Sequence, residues 1–214
     1  MGLKDEGYFH RRTTHDHIKK LASPRDWTIY LGAGVTVDRT GLTWRSLVDQ
    51  LWAQFETNDS TRAVVLDRFG EIRTASIVQE HYRERNLTDA RLIEDIRGLL
   101  YGGHRHMRGR LLEYIVDFSI RMALADKSVV LVTPNYDDYL ISELIKHRLA
   151  RVKEKKEAPP IVFAVANRTS SNEIELIDQI SPGTITCVYV HGFVPRPDFP
   201  DEELAAKEAP PVFS

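Results

Sequence analysis

Three short clusters in this sequence of 214 residues contain residue types that could do chemistry. One carries the side chains of Asn135 and Asp137, one is the pair His191-Gly192, and one is a glycine-rich turn that reads Gly32-Ala33-Gly34-Val35-Thr36. Small residues let backbone N–H groups approach a phosphate, an amide and a carboxylate position a sugar or a water, and histidine acts as a base near neutral pH. Taken singly, each cluster also fits a structural role, as a tight turn, a helix cap or a histidine bonded to a carbonyl group.

Each cluster follows a short apolar run of the kind that forms a buried strand. The runs before the three clusters are residues 27–31, 129–132 and 185–190, and a further run spans residues 161–165. Because helical segments separate these runs, they predict a parallel sheet with helices on its faces. Ligands of such sheets bind beyond the carboxyl ends of the strands. We therefore expect the three clusters to converge on one crevice.

A helical insertion is expected after the first strand, over residues 43–126. Apolar side chains recur at spacings of three and four over residues 43–56, with Thr43 as the N-cap. The rest of the insertion is predicted to be mostly helical, with Ser60 and Thr88 as caps. The fold class is therefore α/β, and a further helix is expected to begin at Asp137 or its neighbour.

Composition excludes several classes of protein. The 29 Lys and Arg residues and 31 Asp and Glu residues give a net charge of −2, which argues against direct binding to nucleic acid. A single cysteine, Cys187, excludes a disulfide scaffold and a four-cysteine zinc module within this sequence. No apolar run reaches the roughly 18 residues of a membrane helix, and the N-terminus has no signal-peptide core. A cytoplasmic protein without membrane contact is expected.

Two further features argue against a metal site and against the nucleotide-binding motif of dehydrogenases. The pairs His15/His17 and His104/His106 fall at helix starts or loops, where this spacing points the two rings apart, so no metal site is predicted. The glycine turn lacks the third glycine of the dehydrogenase fingerprint, because Val37 takes that place.

The three clusters together resemble the sirtuin-like family, specifically its bacterial NAD-consuming branch. The turn at residues 32–36 is similar to the family's GAG-x-Ser loop, with Thr36 in the serine place. The sequence GLTW, which ends at Trp44, is similar to the start of the next helix in that branch. TPNYD at residues 133–137 looks like the family's T-x-N-x-D motif, and His191-Gly192 matches its catalytic His-Gly pair.

The resemblance implies a Rossmann-like sheet and a reaction in which NAD⁺ is the substrate, cleaved to nicotinamide and ADP-ribose or a cyclic form. It assigns catalysis to Asn135, His191 and Asp137. It also assigns binding of NAD⁺ to Gly32, Ala33, Gly34, Val35, Thr36, Trp44, Asn135 and Gly192. Residues 1–26 would be a helical lead-in and residues 27–214 the NAD-binding domain.

The same resemblance implies a biological setting. Members of this branch act as effectors of bacterial antiviral defence, in which loss of NAD⁺ stops infection. They work in homo-oligomers or in complexes with a sensor protein that hold them inactive until triggered. The family domain continues past the His-Gly pair, so we expect this sequence to be the N-terminal portion of a longer protein.

Two other functions stay open at this stage. The chain could be a non-catalytic module that binds NAD⁺ or ADP-ribose, or that serves only for assembly; binding without turnover would favour it. A protein deacylase is disfavoured, because deacylating sirtuins carry a zinc module of four cysteines and this sequence has one.

Overall fold

The computed structural model of the chain describes residues 26–102, 109–165 and 180–199. Its strands are β1 (Asp26–Tyr30), β2 (Ser128–Thr133), β3 (Ile161–Val165) and β4 (Ile185–Tyr189). Its helices are α1 (Gly34–Thr40), α2 (Trp44–Trp52), α3 (Asp59–Glu84), α4 (Asp89–Tyr101), α5 (Leu111–Leu124) and α6 (Tyr139–Lys153). Both predicted His-x-His pairs lie outside the described residues. Across the described ranges, no helix has the length and apolar character needed to cross a membrane.

The strands form one parallel sheet in the order β1-β2-β4-β3. The register pairs Tyr30 with Val132 and Thr133 with Tyr189, so the carboxyl ends of β1, β2 and β4 lie side by side. The predicted α/β fold, a parallel sheet with flanking helices, is confirmed.

Two apolar clusters hold the elements together. The larger joins the sheet to α5 and α6, and includes Leu112, Val116, Val129, Leu131, Leu144 and Ile185. The second joins α2, α3 and α4, and includes Leu47, Leu51, Val78, Leu92 and Ile96. Apolar burial of this kind contributes roughly 25 cal/mol per Å² of surface removed from water. The second cluster gives the helices after β1 a core of their own.

Three of the predicted helix starts can be compared with the structure. Thr43 caps α2, accepting a hydrogen bond from the Ser46 N–H at 3.1 Å, as expected. Thr88 likewise caps α4, accepting from the N–H of Arg91. The prediction that Ser60 is the N-cap is wrong, because the side-chain Oδ1 of Asn58 accepts from the N–H groups of both Ser60 and Thr61 and caps α3.

The end of one helix and the presence of another also differ from the prediction. α2 ends at Trp52 rather than at residue 56, and the chain turns there with the Phe55 N–H donating to the Trp52 carbonyl. α1 was not expected from the sequence, since its seven residues, GVTVDRT, are too few to show a periodic pattern. It ends at Gly41, whose φ of 72° lies in the left-handed region that favours glycine.

A single glycine breaks α3 into two helical parts. Gly70 has φ 72° and ψ 171°, a conformation that is essentially restricted to glycine. The Thr74 hydroxyl donates to the Gly70 carbonyl oxygen at 2.7 Å and so covers a carbonyl group at the break. The second part of the helix carries Ile72, which lines the cavity described below.

We expect Gly70→Ala to lower the free energy of unfolding by about 1–3 kcal/mol, because a Cβ is strained in this backbone conformation. Gly98→Ala is the matched control: Gly98 lies inside α4, and a Cβ there would meet no atom within 4 Å. It is expected to stabilise the protein by about 0.5–1 kcal/mol through helix propensity. Denaturant titration measures both, and equal effects of the two substitutions would contradict the assigned break.

Candidate functional site

A cavity of about 250 Å³ lies at the carboxyl end of the sheet, bordered by the segments that follow β1, β2 and β4. The predicted site residues that line it are Ala33, Thr36, Trp44, Asn135, Asp137 and His191. The three clusters, which are far apart in the sequence, thus reach one cavity. His191 and Asn135 face the same space, as the proposed chemistry requires.

Four of the predicted residues do not line this cavity. Gly32 lies behind it, and its carbonyl oxygen accepts a hydrogen bond from Asn135. Gly34 is the first residue of α1, while Val35 is only 7% exposed and belongs to the core. Gly192 is buried, with a φ of 120° that an L side chain rarely adopts. These residues shape the backbone around the cavity.

The loops after β1 and β2 are joined by a short chain of hydrogen bonds. The Thr133 hydroxyl donates to the Leu31 carbonyl oxygen at 2.9 Å and accepts from the Asn135 N–H at 3.1 Å. The Asn135 side-chain amide then donates to the Gly32 carbonyl oxygen at 3.2 Å. This last bond orients the carboxamide that the sequence analysis assigned to catalysis.

Asp137 is a buried carboxylate at the wall of the cavity, 4% exposed. The Thr36 hydroxyl donates to its Oδ2 and the Tyr139 N–H to its Oδ1, so it also tethers the start of α6. Burial raises the pKa of Asp137 to about 6, and the neighbouring charge of Asp138 adds to the rise. The two hydrogen bonds act in the opposite direction. The carboxylate therefore titrates close to neutrality.

Aromatic and aliphatic side chains form the rest of the wall. The rings of Trp44 and Tyr136 lie with centroids 5.8 Å apart at an angle of 38°. The aliphatic part consists of Leu42, Leu47, Ile72 and Leu100. Sequence reasoning missed Ile72 and Leu100, because apolar residues on helices look the same whether they face a core or a ligand. Tyr136 could have been found, since it lies inside the TPNYD motif.

His191 is partly buried and is the second residue after the end of β4. The preceding residue still belongs to the sheet hydrogen bonding, because the Val190 N–H donates to the Thr133 carbonyl oxygen at 3.0 Å. Among the residues that the structure describes, none forms a hydrogen bond with the His191 ring. An imidazole in this position can accept a proton from a group held in the cavity.

Comparisons of the chain with models of known protein families, with curated proteins and with solved structures find no match. In the described ranges, no group of three or more His, Cys, Asp and Glu side chains is arranged to hold a metal ion.

Because the pKa of Asp137 is raised, we expect the free energy of unfolding to depend on pH through this group. Between the ordinary value of 3.8 and about 6, the folded state binds more protons at Asp137 than the unfolded state does. The free energy of unfolding contributed by this group therefore falls as pH rises through that window. Asp137→Asn removes the effect while keeping an amide that bonds to both Thr36 and Tyr139.

The comparison is between wild type and Asp137→Asn, each denatured by urea at about pH 4.5 and at about pH 7.5. We expect the variant to gain about 2 kcal/mol relative to wild type on going from the lower to the higher pH. Effects of pH on carboxylates distant from Asp137 are common to both proteins and cancel in the difference. A difference that does not change with pH would contradict the raised pKa.

Proposed function

We propose that this cavity binds NAD⁺ and cleaves the bond between its nicotinamide ring and ribose. The observation that carries the proposal is that the loops after three parallel strands bring an imidazole, a carboxamide and a buried carboxylate to one cavity. These are the residues, His191, Asn135 and Asp137, on which the resemblance to sirtuin-like NAD hydrolases rests. The Rossmann-like character of the sheet belongs to the same proposal.

The shape and charge of the cavity suit a flat cationic ring. The nicotinamide group of NAD⁺ is a planar pyridinium, and aromatic faces such as those of Trp44 and Tyr136 attract cations. The Asp137 carboxylate adds a negative charge on the same wall when it is ionised. Ala33 and Gly34, which are the cap and the first residue of α1, are exposed, and their N–H groups are suited to the pyrophosphate.

The reaction breaks the bond between C1′ of the ribose and the ring nitrogen, and both electrons go to the nitrogen. The leaving nicotinamide is neutral, so it needs positioning more than protonation. Positive charge develops at C1′ in an oxocarbenium-like transition state. A water oxygen then bonds to C1′ and gives up a proton, which His191 accepts; Asn135 holds the ribose and the water. Asp137 orients the ribose or Asn135.

The biological part of the proposal follows the resemblance alone. An NAD⁺ hydrolase of this branch would act in the cytoplasm as an effector of antiviral defence. It would work within a homo-oligomer or a complex with a sensor protein, without a membrane and without direct contact with nucleic acid.

The test measures release of nicotinamide from NAD⁺ by the full-length protein under activating conditions. We expect His191→Ala and Asn135→Ala each to lower the rate by about a hundred- to ten-thousand-fold, because each removes a positioned catalytic group. His81→Ala is the matched control, since that ring stacks on Phe55 on the surface of α3, and it is expected to leave the rate unchanged. Circular dichroism checks that all variants fold.

Three outcomes would contradict this proposal in whole or in part. Undiminished release by both alanine variants would reject the assigned residues. Binding of NAD⁺ or ADP-ribose by the activated wild type with no release of nicotinamide would instead identify a non-catalytic module. Release of acetyl groups from a lysine peptide would revive the deacylase alternative.

A further inference from the structure

Beyond the cavity, a second buried carboxylate joins the loop after β2 to the segment after β4. Asp138 is completely buried, whereas the Arg196 side chain is 26% exposed. Three groups of Arg196 donate hydrogen bonds to the Asp138 carboxylate. The backbone N–H donates to Oδ2 at 2.8 Å, and in the side chain Nε donates to Oδ2 at 2.9 Å and Nη2 to Oδ1 at 2.6 Å. Such a two-pronged contact fixes orientation as well as distance.

Two tyrosine rings also lie next to the guanidinium group. Its central carbon lies 5.6 Å from the ring centroids of both Tyr101 and Tyr139. Tyr101 is the last residue of α4, and its hydroxyl accepts a hydrogen bond from the Asp138 N–H at 2.9 Å. The planar, delocalised cation of arginine fits this arrangement, and the compact ammonium of lysine does not reproduce it.

Backbone contacts extend the same junction. The Val194 N–H donates to the Tyr136 carbonyl oxygen at 2.7 Å, and the Tyr101 hydroxyl donates to the Val194 carbonyl oxygen at 2.7 Å. Arg97 Nε donates to the Pro195 carbonyl oxygen at 2.9 Å. The segment after β4 is thus bonded both to the loop after β2 and to the end of α4.

His191 lies between two fixed points of this segment. On one side the strand hydrogen bonding continues to Val190, and on the other Phe193 and Val194 are completely buried. Between them Gly192 bends the chain with its positive φ. The position of the imidazole in the cavity is therefore set by how firmly the residues beyond Gly192 are held.

We propose that the ion pair of Arg196 with Asp138 is a latch that holds His191 in place in the cavity. Arg196 is then a positioning residue that acts through the backbone and touches no substrate. This inference rests on the proposed function, in which His191 accepts the proton. It adds to that function a residue that neither the resemblance nor the cavity lining identifies.

The test compares Asp138→Asn with the double variant Asp138→Asn/Arg196→Met in the full-length protein. The single variant removes the charge beside Asp137 but leaves an amide oxygen for Arg196. The double variant removes the latch and leaves no unpaired charge in the interior, so it is designed to fold. Relative to wild type, we expect kcat for nicotinamide release to fall about ten- to a hundredfold in the double variant, with little change in KM. The fall is expected to be smaller in the single variant, in which Arg196 still has an oxygen to donate to.

Two comparison proteins separate positioning from general loss of stability. The first is Asp49→Asn/Arg62→Met, which breaks another ion pair of a buried arginine. In that pair, Nε of Arg62 in α3 lies 3.0 Å from the carboxylate of Asp49 in α2. This control is expected to leave kcat within about twofold of wild type. Arg196→Lys keeps a cation next to Asp138 and is expected to retain more activity than the double variant.

A second measurement does not depend on activity. Hydrogen exchange of the Val194 amide is expected to quicken about tenfold or more in the double variant, and not in the Asp49→Asn/Arg62→Met control. Unchanged exchange at Val194 would overturn the latch whether or not the protein cleaves NAD⁺. Faster exchange with unchanged kcat would overturn its positioning role. Wild-type protein that releases no nicotinamide under activation would reject the proposed function, and with it the role of the latch in catalysis.

Discussion

Two neighbouring carboxylates, Asp137 and Asp138, are buried at the carboxyl end of β2, where leaving them without partners would cost several kcal/mol each. Their side-chain partners are distant in the sequence. Thr36 reaches Asp137 from the helix after β1, and Arg196 reaches Asp138 from the segment after β4. Satisfying both groups therefore draws the loops after three strands to one place. The cavity exists because these loops meet there.

The two carboxylates are satisfied in different ways, and the difference separates their roles. Asp138 meets a cation in a bidentate contact, so its charge is balanced and its geometry is fixed. Asp137 meets only neutral donors, and burial therefore raises its pKa towards neutrality. The carboxylate of Asp138 is already paired with a cation, whereas the carboxylate of Asp137 lines the cavity, where a charged ligand can reach it. These adjacent residues of one type therefore differ in their partners and in their contact with the cavity.

The sequence predicts those parts of the molecule that depend on local pattern. The apolar run at residues 161–165 coincides with β3, and Thr43 and Thr88 cap helices as expected, because these features depend on nearest neighbours. Ser60 failed as a cap because Asn58 offers a better placed oxygen two residues earlier. Arg196 could not be found, since its partner is 58 residues away and nothing near it in the sequence distinguishes it from a surface arginine.

The cavity draws its polar and apolar residues from different parts of the chain. The imidazole, carboxamide and carboxylate lie on the loops after β2 and β4, whose positions are set by sheet register and buried hydrogen bonds. Most of the apolar wall comes from the segment between β1 and β2, which has its own hydrophobic cluster. A change of side chain at Leu47, Ile72 or Leu100 can therefore alter the size of the ligand that fits. Val194 belongs to the same hydrophobic cluster and Tyr136 packs against it, so this core supports the loops after β2 and β4 as well as the apolar wall.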